Sequence, residues 1–128
     1  MSKDIFYSDA TRLADMIRNR DISPVDVMQV HIDRIAAINP DINAVVSLAE
    51  DAMKQAAAAE SAVMKGEELG PLHGVPFTVK DSIDTAGVLT QRGSPIFKGR
   101  RPDKDATSVA RLKKAGAILL AKTNLPEF

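Results

Sequence analysis

Gly70-Pro-Leu-His-Gly-Val-Pro-Phe-Thr-Val-Lys80-Asp81 is a turn-rich entry into a short apolar run that stops on a lysine. Val75 to Val79 has the β-branched and aromatic content of a strand, and the glycines and prolines before it mark its start. Pro76 has no N–H to give a ladder, so pairing is expected from about Phe77. Lys80 then falls at or just beyond the strand's C-terminal end, where α/β proteins place their chemistry. Downstream, Asp105 to Ala115 reads as a helix, with Asp105 as its cap, Val109 and Leu112 toward a sheet, Lys113 and Lys114 near its negative end, and Gly116 as its stop. Ala117-Ile-Leu-Leu-Ala121 is apolar without alternation, the pattern of a strand covered on both faces. Strand, helix, strand is an α/β unit whose crossover normally joins parallel neighbours, with room in a larger sheet for another strand between them.

The upstream half reads mainly as helix. Ala10, Leu13, Ala14 and Ile17 share one helical face after Ser8, predicting a first helix over Asp9 to Arg20. Ser23 is placed as an N-cap, Pro24 suits the first helical position and Asp26 stands where a capping-box acid would. Val25, Met28, Ile32 and Ile35 form the buried stripe of this second helix, which Asn39-Pro40-Asp41 is expected to end. Asn43 to Leu48 reads as a short strand or, being so brief, as the start of a helix. Glu50 to Lys65 reads as an alanine-rich helix stopped by Gly66, with Met53 and Met64 on its faces. The fold class is thus α/β: N-terminal helices over residues 1–69, followed over residues 70–128 by the strand-helix-strand unit.

Composition is that of a piece of a soluble enzyme, 45% hydrophobic and 27% charged, with 17 Lys+Arg against 17 Asp+Glu. A balanced chain has no field to steer nucleic acid or an anionic membrane, and Lys98, Arg100, Arg101 and Lys104 are interrupted by Asp103 and Asp105 as in a solvated loop. The absence of cysteine excludes disulfides, thiolate metal sites and a cysteine nucleophile. Met1-Ser-Lys-Asp-Ile lacks an apolar signal core and no run is long enough to cross a bilayer, so the expected location is cytoplasmic. His31 lacks a second ligand at metal-binding spacing and is expected to be a structural or surface histidine; His73 lacks a Ser/Asp arrangement and is expected to pack in its turn.

Lys80 has two readings on the residues alone: an exposed lysine at a strand end, or a base. A lysine titrates near about 10.4 in water and a lysine acting as base must titrate nearer about 7–8, which burial can bring about. Asp81 is adjacent to it, but neighbouring strand residues face opposite sides, which argues against direct pairing. Ser82, Ser94 and Ser108 lie in neither a Gly-x-Ser-x-Gly elbow nor a glycine loop with paired serines, and Ser23, Ser94 and Ser108 read as capping or turn residues.

Gly70–Asp81, followed in order by Asp84-Thr-Ala-Gly87, Arg92-Gly-Ser94, Asp105-Ala-Thr107 and Gly116 to Asn124 with Leu125-Pro-Glu-Phe128, resembles the amidase signature family over roughly the second half of the chain. The resemblance implies a mixed-sheet fold of which this chain is the N-terminal portion, and hydrolysis of a carboxamide C–N bond by a Ser, cis-Ser, Lys triad without metal or organic cofactor. Val79-Lys80-Asp81 matches the motif that carries the family's lysine, making Lys80 the implied catalytic residue. The two serines belong to a glycine- and serine-rich segment further along the family's sequence, so this chain alone is expected to be inactive. A small-molecule amide is the implied substrate of the intact enzyme. Thr90–Ser94 and Lys122–Phe128 look more like stand-alone amidases than the glutamine-hydrolysing component of a tRNA-dependent amidotransferase; a non-catalytic chain that binds or regulates a partner is the alternative of another class. Uncovered apolar sheet surface is expected to promote self-association.

Overall fold

The computed structural model describes residues 2–128, with side chains from Asp4 onward. Its elements run α1 (Ser2–Phe6), α2 (Ala10–Arg18), α3 (Pro24–Ile42), β1 (Val45–Leu48), α4 (Ala52–Met64), β2 (Pro76–Lys80), a 3-10 turn (Pro95–Phe97), α5 (Thr107–Lys114) and β3 (Ile118–Thr123). The α/β class holds, as a mixed sheet of order β1-β3-β2 in which β1 runs antiparallel and β2 parallel to the central β3. None of the described helices is long and apolar enough to cross a membrane.

Burial dictates the centre. Ala117 to Lys122 are all buried, as a non-alternating strand between covering layers requires. Ile118, Leu119, Leu120 and Ala121 pack with Met28 of α3, with Ala49 just after β1, and with Ala52, Ala56 and Ala59 along α4. The alanines let α4 lie close to its neighbours, since a methyl group holds the helix axis nearest to what it covers. A second cluster joins Ile5, Leu13, Ala14 and Ile17 to Val27, Val63 and Val75. The expected α3 stripe contributes to the first cluster through Met28, Val25, Ile32 and Ile35, but Val27 and Val30 carry a further stripe into the second. Helix α3 therefore bridges the two.

Local chemistry explains the element ends, several of which differ from expectation. The cap of α2 is Asp9, whose carboxylate accepts from Arg12 N at 2.8 Å. Arg20, expected in the helix, is left-handed at φ 64°, and Asp21 N closes the end onto Met16 O. Its guanidinium reaches Val63 O at 3.2 Å and so helps cap α4 instead. Helix α3 does not stop at Asn39 but continues through Pro40 to Ile42. Proline costs only one helical bond in a last turn, and here the Asn39 amide holds both Val45 N (2.8 Å) and Val45 O (2.9 Å), fixing the turn into β1. Ser23 caps α3 as expected, accepting from Val25 N at 3.0 Å, and also donates to Glu60 of α4. Asp105 does not cap α5; its Oδ1 accepts from Ala86 N at 2.7 Å and Ala106 occupies the cap position.

In the sheet, Pro76 lies within the ladder, opposite Ile118, because Ile118 N donates to Val75 O at 2.9 Å. On an edge strand the missing N–H of Pro76 points away from β3 and costs the ladder nothing. Strand β3 extends past the expected Ala121 to Thr123, so Lys122 belongs to the central strand. Gly66 and Gly116 both close helices as expected. Gly66 N bonds Val63 O and Glu67 N bonds Ala62 O; Gly116 N bonds Lys113 O and Ala117 N bonds Leu112 O.

Gly116 is doubly constrained, by φ of 96° and by the His73 backbone, whose Cα would lie 2.7 Å from an added Cβ. Gly116→Ala is expected to lower stability by about 1–3 kcal/mol, read as a lower urea midpoint at unchanged slope.

Candidate active site

Lys80 is the last residue of β2, paired through its Cα with Thr123 at the C-terminal end of the parallel strands. Its side chain is exposed, not buried as a base at this position was expected to be, and forms no hydrogen bond or ion pair among the described residues. The next residue, Asp81, is buried on the other side of the chain, as strand alternation requires. The backbone at this point is held by three bonds: Asp81 N donates to Thr123 O at 3.0 Å, Asp81 O accepts from Arg92 N at 3.2 Å, and Ile83 N returns to Lys80 O at 2.9 Å. The Asp81 carboxylate accepts from Gln91 N at 3.0 Å through Oδ2, while its buried Oδ1 has no hydrogen-bond donor.

The cation facing that oxygen is Lys122, whose side chain is 0% exposed and whose Nζ lies 3.6 Å from Asp81 Oδ1. Lys122 Nζ donates to Ile83 O (2.8 Å), Thr85 Oγ1 (3.1 Å) and Thr90 Oγ1 (2.8 Å). Thr90 Oγ1 in turn bonds Val88 O at 3.0 Å and lies 3.2 Å from Thr85 Oγ1. An ammonium has three protons and this pocket offers three acceptors within bonding distance, so the site matches the charged form. Burial nevertheless holds the Lys122 pKa below the ordinary lysine value, with the Asp81 carboxylate pushing back. Sequence patterning assigns Lys122 no role. The signal that could have found it is a lysine ending an apolar run in a strand that must be covered on both faces.

Around this pocket the loop is tied by further polar contacts. Arg100 grips Asp84 with two bonds of 2.8 and 2.9 Å, and that grip holds the Asp84 carboxyl below its ordinary value. Arg92, left-handed at φ 54°, lies over Phe97 at 5.2 Å. Ser94 is buried, donates to Glu127 at 2.7 Å and caps the 3-10 turn, so its hydroxyl serves structure as expected. His31 Nδ1 bonds Val27 O at 2.8 Å, a structural role, and His73 Nε2 reaches out of its turn to Ala59 O of α4 at 2.9 Å. No serine hydroxyl hydrogen-bonds Lys80 among the described residues. A groove of about 560 Å³ lies elsewhere, between α4, β3 and the Ala86–Leu89 loop, and Lys80 does not line it. No cluster of three or more His, Asp or Glu among the described residues is placed to hold a metal.

Residues 26–128 match the profile of the amidase family. Indoleacetamide hydrolase of Bradyrhizobium diazoefficiens is 46% identical over 125 residues, which are 97% of this chain and 24% of that protein. The A-type component of glutamyl-tRNA(Gln) amidotransferase from Acidothermus cellulolyticus is 41% identical over 126 residues, 98% of this chain and 25% of that one. Among solved structures, the native peptide amidase of Stenotrophomonas maltophilia superposes with a TM-score of 0.89 at 39% identity, over 94% of this chain and 25% of its own. The chain thus spans about a quarter of the length of these relatives.

The depressed Lys122 pKa carries a pH signature. In the window between the lowered folded value and the ordinary one of 10.5, the unfolded chain still binds a proton that the folded chain has released, so stability rises with pH. Below that window both states are charged and the burial penalty is felt in full. Lys122→Met removes the titration; the stability of the unaltered chain relative to this variant is expected to climb as pH is raised toward 10.5, measured by urea unfolding at each pH.

Proposed function

This chain belongs to the amidase family, and from that premise we propose that it is the N-terminal portion of an enzyme that hydrolyses a carboxamide C–N bond with Lys80 as its base. The observation that carries the reading is the contrast at the end of β2: Asp81 is locked into the fold, while the Lys80 side chain projects unpaired from the strand end. A strand terminus in a parallel pair is where such a group meets substrate.

In this reading the Lys80 amine takes a proton from a bridging serine, which takes one from a nucleophilic serine. That serine attacks the amide carbon, the oxyanion forms against backbone N–H groups, and the C–N bond breaks as the leaving nitrogen is protonated. Water then hydrolyses the acyl-serine ester, returning the proton chain to its start. Both serines belong to sequence outside residues 1–128, so the chain supplies the base and the framework that aims it. The substrate class is a small carboxamide, in keeping with the relative named for indoleacetamide hydrolysis. Likeness to the amidotransferase component supports glutamine as the alternative amide.

Two outcomes test this. Purified residues 1–128 are expected to show no turnover of aryl or aliphatic amides. In the longer enzyme, Lys80→Ala is expected to reduce kcat by about 10²–10⁴-fold with the melting temperature little changed; near-normal turnover removes Lys80 as the base.

We further propose that the isolated chain self-associates. Ile42, Val46 and Leu48 are exposed at and beside the edge strand β1, with 63%, 41% and 43% of their surface open. Sedimentation velocity should show a concentration-dependent shift to larger species, and a monodisperse monomer across the micromolar range would refute this.

A further inference from the structure

We propose that Lys122 is a positioning residue, whose buried ammonium ties the Asp81–Thr90 loop to β3 and thereby fixes the backbone that presents Lys80. The inference rests on the reading of Lys80 as the base, and it begins from an expense. Burying a lysine in a central strand carries a desolvation penalty that pairing offsets only with good geometry, and apolar residues of similar volume often serve stability as well or better. Every other residue from Ala117 to Ala121 is apolar, so packing alone gives no reason for a cation at position 122.

The partners of Lys122 supply one. Ile83 O, Thr85 Oγ1 and Thr90 Oγ1 accept its three protons, and Asp81 Oδ1 stands 3.6 Å away without any other donor. All four lie in the loop that leaves Lys80. One atom on β3 therefore gathers the beginning, the middle and the far end of that loop, and Gln91 N closes it onto the other oxygen of Asp81. The Lys80 side chain has no hydrogen bond or ion pair of its own among the described residues, so its placement is inherited from this backbone. Lys122 pairs in register with Val79 and Lys80 with Thr123, which puts the two lysines on opposite faces of the sheet. Lys122 acts through the chain and never on the amine.

Hydrogen exchange on the 128-residue chain tests the idea without requiring turnover. In Lys122→Met the amides of Asp81, Ile83, Gln91 and Arg92 are expected to exchange about tenfold faster or more, while Gln55 and Lys65 at the two ends of α4 keep their protection. Thr90→Val, which deletes one acceptor at nearly constant shape, should move the same loop amides by a smaller factor and decides the matter if Lys122→Met does not fold. Unchanged loop protection, or equal loss across loop and helix in Thr90→Val, overturns the proposal. In the longer enzyme Thr90→Val is expected to lower kcat by about tenfold or more with KM nearly constant, a split that lost stability alone does not give. Failure of the base reading shows separately, as retained turnover in Lys80→Ala; that outcome leaves the exchange result intact but removes the reason for the positioning.

Discussion

The fold depends on β3 being covered on every side, and on one cation being buried with it. A central strand flanked by β1 and β2, with α3 and α4 packed against it, leaves no route by which water can solvate Lys122. Its ammonium must find oxygen within the protein, and the segment close enough to supply it is the loop from Asp81 to Thr90. The loop's path is therefore a consequence of the strand's burial. A loop of this length without helix or strand would ordinarily be mobile; this one is anchored from within.

The helical layer answers a different demand, that of bringing small side chains close to the sheet. Ala52, Ala56 and Ala59 present methyl groups to β3, and Val63 carries the same helix into the second cluster beside Ile17 and Val27. Because α3 feeds both clusters, neither can loosen without disturbing the other. Contacts between helix ends reinforce this: Arg20 bonds the last turn of α4 and Ser23 bonds Glu60.

Elements governed by neighbours in sequence were legible. The glycine stops at Gly66 and Gly116, the Ser23-Pro24 start and the unbroken apolar run of β3 all follow from short-range chemistry. Elements governed by distant partners were not. Pro40 stays in a helix because Asn39 grips Val45, six residues on, and Asp105 leaves its expected capping role for Ala86, nineteen residues away. Lys122 lies thirty-two to thirty-nine residues from the oxygens it bonds. No periodicity in the chain reports a separation of that kind.

The two lysines at the ends of neighbouring strands show how far alternation alone carries a reading. Lys80 and Lys122 each close an apolar run, each precedes a polar residue, and composition does not tell them apart. Register does. Val79 faces Lys122 across the ladder, so Asp81, two residues further and just past the end of β2, falls on the same side as Lys122 and becomes its counter-ion. Lys80, between Val79 and Asp81, is turned to the opposite face by the same geometry. The alternation that keeps Asp81 from pairing with its neighbour Lys80 thus identifies its true partner once the strand order is known. The sheet thereby separates a cation buried among oxygens from an exposed amine, and a single residue of register is enough to decide which lysine is which.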